Sequence, residues 1–99
     1  MSPLPFLINE DELRSICLRY GIARLELFGS MVRGDATPQS DVDLLYELSP
    51  NATLGWEIDA LEQELSELFG RSVDLVAKRA LHRRLRARVL AEVVELYAA

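Results

Sequence analysis

The sequence predicts a small α/β domain in which helices and strands alternate along the chain. Three observations predict it. Helix-period apolar stretches occupy residues 9–20, 53–69 and 80–92, each with start or stop signals. Three short strand-like runs, Ile22–Phe28, Asp41–Leu48 and Ser72–Ala77, lie between them. Apolar residues make up 49% of the 99, enough for one core but with little area to spare. The expectation is a single domain over residues 1–99, with residues 1–8 as an irregular lead-in.

Each element has a local reason. Asn9 stands as an N-cap, with Glu10, Asp11 and Glu12 in the first turn, where carboxylates suit the helix dipole. Leu13, Ile16, Cys17 and Tyr20 recur at helical spacing, and Gly21 is a natural stop. In the first strand Leu25 and Leu27 share a face, and Gly29-Ser30 breaks it. Gly34, Asp35, Thr37, Pro38 and Ser40 leave room for only a short helical turn and a loop before the second strand. Thr53 is the expected cap of a helix to about Phe69, with Leu54, Ile58, Leu61, Leu65 and Leu68 as its apolar stripe and Gly70 as its stop. Ser72–Ala77 is the third strand, and residues 80–92 read as an arginine-rich helix. Residues 93–97 fit a helical extension by period or a short strand by the β-branched Val93 and Val94.

Charge and composition exclude several functions. The net charge of −5 opposes stable nonspecific binding to nucleic acid. The charge is segregated: from Arg71 to Leu90 lie seven Lys/Arg and one acid, against four Arg and fifteen acids elsewhere. No run approaches the roughly 18 apolar residues of a membrane span. The N-terminus lacks a basic segment before an apolar one, so no signal peptide is expected. The one cysteine, Cys17, has no disulfide partner within the chain, and a cytoplasmic protein is the expectation.

The chemistry is carried by Gly29-Ser30, ten intervening residues, and Asp41-Val42-Asp43. A glycine at a strand end lets backbone approach a phosphate closely. Ser30 adds a hydroxyl, and the amides beyond it open a helical turn that suits an anion. Arg33, one turn on, can face the same phosphates with a bidentate fork. Asp41 and Asp43, two apart on a strand, point to one face. At about 4 Å and an effective dielectric near 20 their repulsion is roughly 4 kcal/mol, which a divalent cation relieves. Asp74 lies mid-strand between Val73 and Leu75, where a charge in apolar surroundings needs a partner or a metal. If its strand neighbours the second, Asp74 completes a two-metal carboxylate site.

The runs Phe28–Ala36, Ser40–Leu45 and Val73–Val76 resemble the minimal nucleotidyltransferase (MNT) family of the DNA polymerase β-like superfamily. The likeness covers about Ile22 to Tyr97 and its motifs are specific. Met31-Val32 departs mildly from the family's usual residues, and nothing catalytic rests on it. The resemblance implies a polymerase β-like palm, a mixed sheet of three to four strands flanked by helices, and favours a terminal strand for residues 93–97. It implies that Gly29 and Ser30 contact the nucleotide's phosphates, that Arg33, read above as nucleotide-binding, belongs to the family motif, and that Asp41, Asp43 and Asp74 are catalytic and bind Mg²⁺, with two ions expected. It further implies an adenylyltransferase that uses ATP and acts as antitoxin to a helical HEPN ribonuclease toxin. Two rival readings are an antitoxin that blocks its partner by binding alone, and a transferase acting on a small molecule.

Other residues have plainer expectations. Asp35 is a loop cap, and Asp74 has an ion pair with Arg71 as its ordinary alternative. His82 is expected to be solvated and Cys17 to be core. Arg79, Arg83 and Arg86 form a row facing away from Leu81 and Leu85, either a solvated face or a dock for an acidic partner. Trp56 stands opposite the apolar stripe of its expected helix, covered by a loop or touching a partner.

Overall fold

The structure is a computed structural model that describes residues 8–37 and 39–99. Apart from Ile8, the expected lead-in lies outside the described residues, as does Pro38 of the loop. Helix α1 (Glu10–Tyr20) starts and stops on the expected signals. The Asn9 side chain accepts from the Glu12 amide at 3.0 Å, and Gly21, at φ 72°, closes the helix by donating to the Cys17 and Leu18 carbonyls. Such a cap stabilises by about 1 kcal/mol.

Strand β1 (Ile22–Phe28) leads into the one-turn helix α2 (Ser30–Arg33), strand β2 (Val42–Leu48), helix α3 (Glu57–Phe69) and strand β3 (Val73–Ala77). A 3₁₀ turn (Lys78–Ala80), helix α4 (Arg83–Glu92) and strand β4 (Val94–Ala98) complete the chain. The sheet has the order β3-β2-β1-β4. β1 pairs antiparallel with both β2 and β4, and β2 pairs parallel with β3. This is the mixed sheet flanked by helices that the family resemblance implied, and the ambiguous tail is its fourth strand.

Alternation along the strands separates two faces. Leu25, Leu27, Val42, Leu44 and Val73 pack with Leu13, Ile16 and Cys17 of α1 and Leu61, Leu65 and Phe69 of α3 in one core. Cys17 lies in it as expected, and burial pushes its thiol up to about 12. Arg19 and Tyr20 both donate to the Glu64 carboxylate, which ties α1 to α3. The other face is covered in part. Leu45 is 1% exposed and Glu26 only 6%, with Lys78 Nζ 3.4 Å from a Glu26 carboxylate oxygen. β3 and β4 are parallel and lie at opposite edges, so a right-handed return crosses the face opposite α3. No described helix is long and apolar enough to cross a membrane.

Two helix starts differ from expectation. α3 begins at Glu57 and not at Thr53, because Gly55 is a poor first-turn residue and the Glu57 carboxylate folds back onto the Gly55 amide at 2.8 Å. Trp56 therefore sits at the helix boundary, not on its flank, and is 91% exposed, so no loop covers it. Leu54, ahead of the helix, still packs against the core. α4 begins at Arg83 and not at Ala80, since His82 Nδ1 accepts from the Arg84 amide at 3.1 Å. His82 is thus a cap. The side of α4 that meets the protein is Val89 and Leu90, both half-buried, while Leu85 is 48% exposed.

The burial contrast gives a paired prediction. Leu65→Ala should cost about 2–5 kcal/mol in denaturant unfolding, because the site is closed on all sides. Trp56→Ala should stay within about 0.5 kcal/mol of the parent. A large loss on removing Trp56 would show that its ring is packed.

Candidate active site

The site is built on the junction between β1 and α2. Phe28 pairs with Asp43 across the antiparallel ladder, so the next residue, Gly29, comes level with the Asp43 side chain. Gly29 has φ 80° and ψ −149°, a conformation that essentially only glycine adopts. A Cβ there would stand 2.3 Å from Asp43 Oδ2 and 3.1 Å from its Cγ. The glycine is required twice, by its backbone angles and by the carboxylate against it. The Gly29 carbonyl then accepts from the amides of Val32 and Arg33 at 3.0 and 3.1 Å, which winds α2. The Ser30 carbonyl accepts from Gly34 and Asp35 at 3.0 and 3.2 Å and ends it.

Asp43 also pairs with Asp74 in the parallel register of β2 and β3. Their Cα atoms are therefore neighbours across a strand spacing of roughly 5 Å, with both side chains on one face. Asp41 immediately precedes β2. The Asp43 carboxyl is held above the ordinary carboxylate range, first by burial, then by the charges of Asp74 and Asp41, while Arg33 draws it down. One side chain thus feels all three of the other predicted charged groups.

Asp74 differs from its expected setting. It is exposed, not enclosed by apolar residues, because alternation on an edge strand turns Val73 into the core and Asp74 outward. Nor does it pair with Arg71. The Arg71 guanidinium donates to the Thr37 carbonyl at 3.0 Å and the Ser40 carbonyl at 3.5 Å. This pins the loop that carries Asp41, and the Val42 amide on the Ser72 carbonyl at 2.9 Å secures the strand behind it. Sequence reasoning missed that role for Arg71, although its place two residues before β3 brings it to this end of the sheet. Arg33 is exposed, with Nε 3.4 Å from Asp35 and an Nη 3.9 Å from Glu92. Asp35 pairs with Arg33 where a loop cap was expected.

Among the described residues no three acidic, histidine or cysteine side chains converge tightly enough to enclose a metal by themselves. An open edge of this kind still suits Mg²⁺, which takes one or two carboxylates and completes its shell with phosphates and water. The mutual repulsion recorded in the raised Asp43 carboxyl is what a divalent ion would relieve. Among the described residues none of Asp41, Asp43 and Asp74 has a cation within ion-pair distance.

The mixed sheet with a Gly-Ser turn closing onto its second strand is the arrangement expected of a nucleotidyltransferase palm. Comparison with known proteins agrees. The model of the nucleotidyltransferase domain matches residues 10–96. A protein adenylyltransferase, MntA of Thermococcus cleftensis, is 41% identical over 86 residues, covering 87% of this chain and 83% of its own. A solved structure described as a candidate minimal nucleotidyltransferase superposes with TM-score 0.71 at 39% identity, over 86% of each chain. A complex of a tri-AMPylated Shewanella oneidensis HEPN toxin with an MNT antitoxin shares the fold, with TM-score 0.62 and 22% identity over 91% of this chain and 70% of that one. The chain belongs to the nucleotidyltransferase domain family.

Two predictions follow from the geometry around Asp43. Gly29→Ala should cost roughly 1–3 kcal/mol through its backbone angles alone and should push Asp43 out of place. Unfolding at parental stability with unaltered nucleotide affinity would refute that packing. For the metal-free protein, a raised Asp43 carboxyl means that the folded state holds this proton more tightly than the unfolded one. Its contribution to stability is present below the unfolded value and is lost as pH rises through the folded value. Asp43→Asn should therefore leave the apo protein at least as stable near neutrality and flatten that dependence, read from urea midpoints in chelator. A marked loss of apo stability near neutrality would show that the Asp43 charge is favourably held.

Proposed function

We propose that this chain transfers an adenylyl group from ATP to a hydroxyl of a HEPN-type ribonuclease toxin and thereby acts as its antitoxin. The observation that carries this reading is the packing of Gly29 against Asp43, with the Asp43 carboxyl raised by Asp74 and Asp41. The adenylyl group and the partner are supported by the relative named a protein adenylyltransferase and by the complex of an AMPylated HEPN toxin with its antitoxin. ATP as substrate and one unpaired, buried cysteine agree with a cytoplasmic location.

In this reading the acceptor oxygen attacks the α-phosphorus, the bond to the bridging oxygen breaks, and pyrophosphate leaves. Gly29 lets the phosphates approach the backbone, and Ser30 and Arg33 hold them. Asp41, Asp43 and Asp74 would hold Mg²⁺, which when bound supplies positive charge to the attacking and leaving oxygens. Asp74 is exposed, so an acceptor hydroxyl can reach it and leave its proton there. Arg71 acts through the loop it pins, keeping Asp41 in line with Asp43. The open carboxylate face suits an acceptor that brings its own protein surface.

The test is incubation with α-labelled ATP, Mg²⁺ and the purified HEPN-type partner, read by a mass shift of one or more AMP groups. Asp43→Asn should abolish the shift. Arg33→Ala should weaken nucleotide binding by about ten-fold or more, the loss expected for a charge-assisted contact of roughly 1.5–3 kcal/mol. An unmodified partner that is nevertheless neutralised would replace transfer by occlusion. Equal labelling by Asp43→Asn would show the site to be misplaced.

A further inference from the structure

α4 is the least embedded helix of the fold. Residues 83–88 are all exposed, and they include Arg83, Arg84, Arg86 and Arg88 around Leu85, itself 48% exposed. The arrangement is unfavourable to the isolated chain in three ways. Arg83 and Arg84 open the helix, where the dipole disfavours cations, and its first turn has no acid. Arg84 and Arg88 are like charges at i,i+4, and Arg83 and Arg86 at i,i+3. Among the described residues the side chains of Arg83, Arg84 and Arg88 have no ion pair or hydrogen-bond acceptor. Arg86 reaches only the Lys78 and Arg79 carbonyls, both at 3.5 Å. Local charges that no internal contact compensates mark a surface kept for something outside the chain.

We infer that α4 is a docking surface for an acidic face of the acceptor protein, with Leu85 as its apolar anchor. The partner's identity rests on the function proposed above. Charge complementarity selects an acidic surface, since seven of the chain's eleven cations lie between Arg71 and Leu90 on a protein of net charge −5. An extended nucleic acid would run off this patch onto acidic surface, and a half-exposed leucine among the arginines suits a protein contact, not a phosphate backbone. Beside the helix lies a cleft of about 460 Å³ in which Arg79 and Arg86 face Glu47, itself near Lys78, and which gives the patch depth for a side chain of the partner. The placement also serves transfer. Ten residues of helix span about 15 Å. The far end, Glu92, lies 3.9 Å from Arg33, so a partner seated along α4 arrives beside the phosphate turn.

The experiment measures calorimetric affinity for the purified HEPN-type partner without Mg²⁺ or nucleotide, so that binding is read apart from transfer. R84E/R88E should weaken it by about ten-fold or more and flatten its dependence on salt. R84Q/R88Q should do the same to a smaller degree, and serves if the charge reversal fails to fold. Both variants should unfold at or above the parental midpoint and bind Mg²⁺-ATP as the parent does. Unchanged partner affinity in folded variants overturns the inference, as does a parent chain that does not bind the partner. Loss of affinity for a structured RNA with partner affinity intact also overturns it, and assigns the patch to nucleic acid. If the parent binds the partner but never modifies it, the proposed function falls, and the affinities alone still decide the role of α4.

Discussion

The contact between Gly29 and the Asp43 carboxylate rests on the register of β1 against β2. Side chains alternate with a period of two, so a slip of one residue would turn Asp43 into the core and Leu44 out of it. Leu25, Leu27, Val42 and Leu44, all nearly inaccessible to solvent, lock that register, and a polar substitute at any of them would be buried without a partner. Once Phe28 faces Asp43, Gly29 has its height, α2 has its starting point, and Ser30 and Arg33 have their positions. The parallel pairing of Asp43 with Asp74 then brings in the third carboxylate without further specification.

The same arrangement asks much of β3. It is an edge strand of five residues, bonded to the sheet along one side only, yet it carries Asp74. Side chains secure it at both ends. Before it, Arg71 reaches across to the carbonyls of Thr37 and Ser40. After it, Lys78 reaches past β2 to the buried Glu26 on β1, with Glu47 at 3.8 Å. A cation so placed must hold its position, because releasing it would leave Glu26 buried and unpaired, which costs several kcal/mol. Both anchors favour cations at the flanks of β3, and this accounts for Arg71 and Lys78 among the basic residues of that stretch.

The features legible in the sequence are those set by local chemistry. The Asn9 cap, the Gly21 and Gly70 stops, the break at Gly29-Ser30 and the alternation of the strands depend on a few adjacent residues, and the structure follows them. What was misread at the site depends on residues distant in sequence. Asp74 was expected in apolar surroundings from its neighbours Val73 and Leu75, but its exposure is decided by the edge position of β3, which only the sheet order reveals. Glu26, between the two core leucines of β1, is buried on the second face and meets Lys78 from beyond β3, a contact between residues far apart in sequence. The starts of α3 and α4 were misjudged for local reasons: Gly55, its amide bonded by the Glu57 carboxylate, delays α3 past Thr53, and the His82 side chain caps α4 past Ala80. Of the candidate site, the Gly-Ser turn and the carboxylates at and just before the start of β2 lie in one continuous motif, whereas Arg71 acts through space and left no signal there.

Charge segregation gives the fold its remaining logic. A triphosphate approaching a chain of net charge −5 meets repulsion at the very face where Asp41, Asp43 and Asp74 gather. Arg33 alone offsets little of it, since its guanidinium is exposed and already shared with Asp35 and Glu92. Under the proposed function, nucleotide binding at such a face would call for a cation that neutralises the carboxylates, and the carboxylates by themselves repel anions in general. The basic residues collect instead from Arg71 onward, outside the carboxylate cluster itself, where they neither quench the carboxylates nor invite phosphates into the site unaided. Keeping the two charges apart leaves the acids with only weak competition from neighbouring cations, and the strain this puts on Asp43 is tolerable because the core beneath it, from Leu25 to Leu65, supplies the stability of the domain.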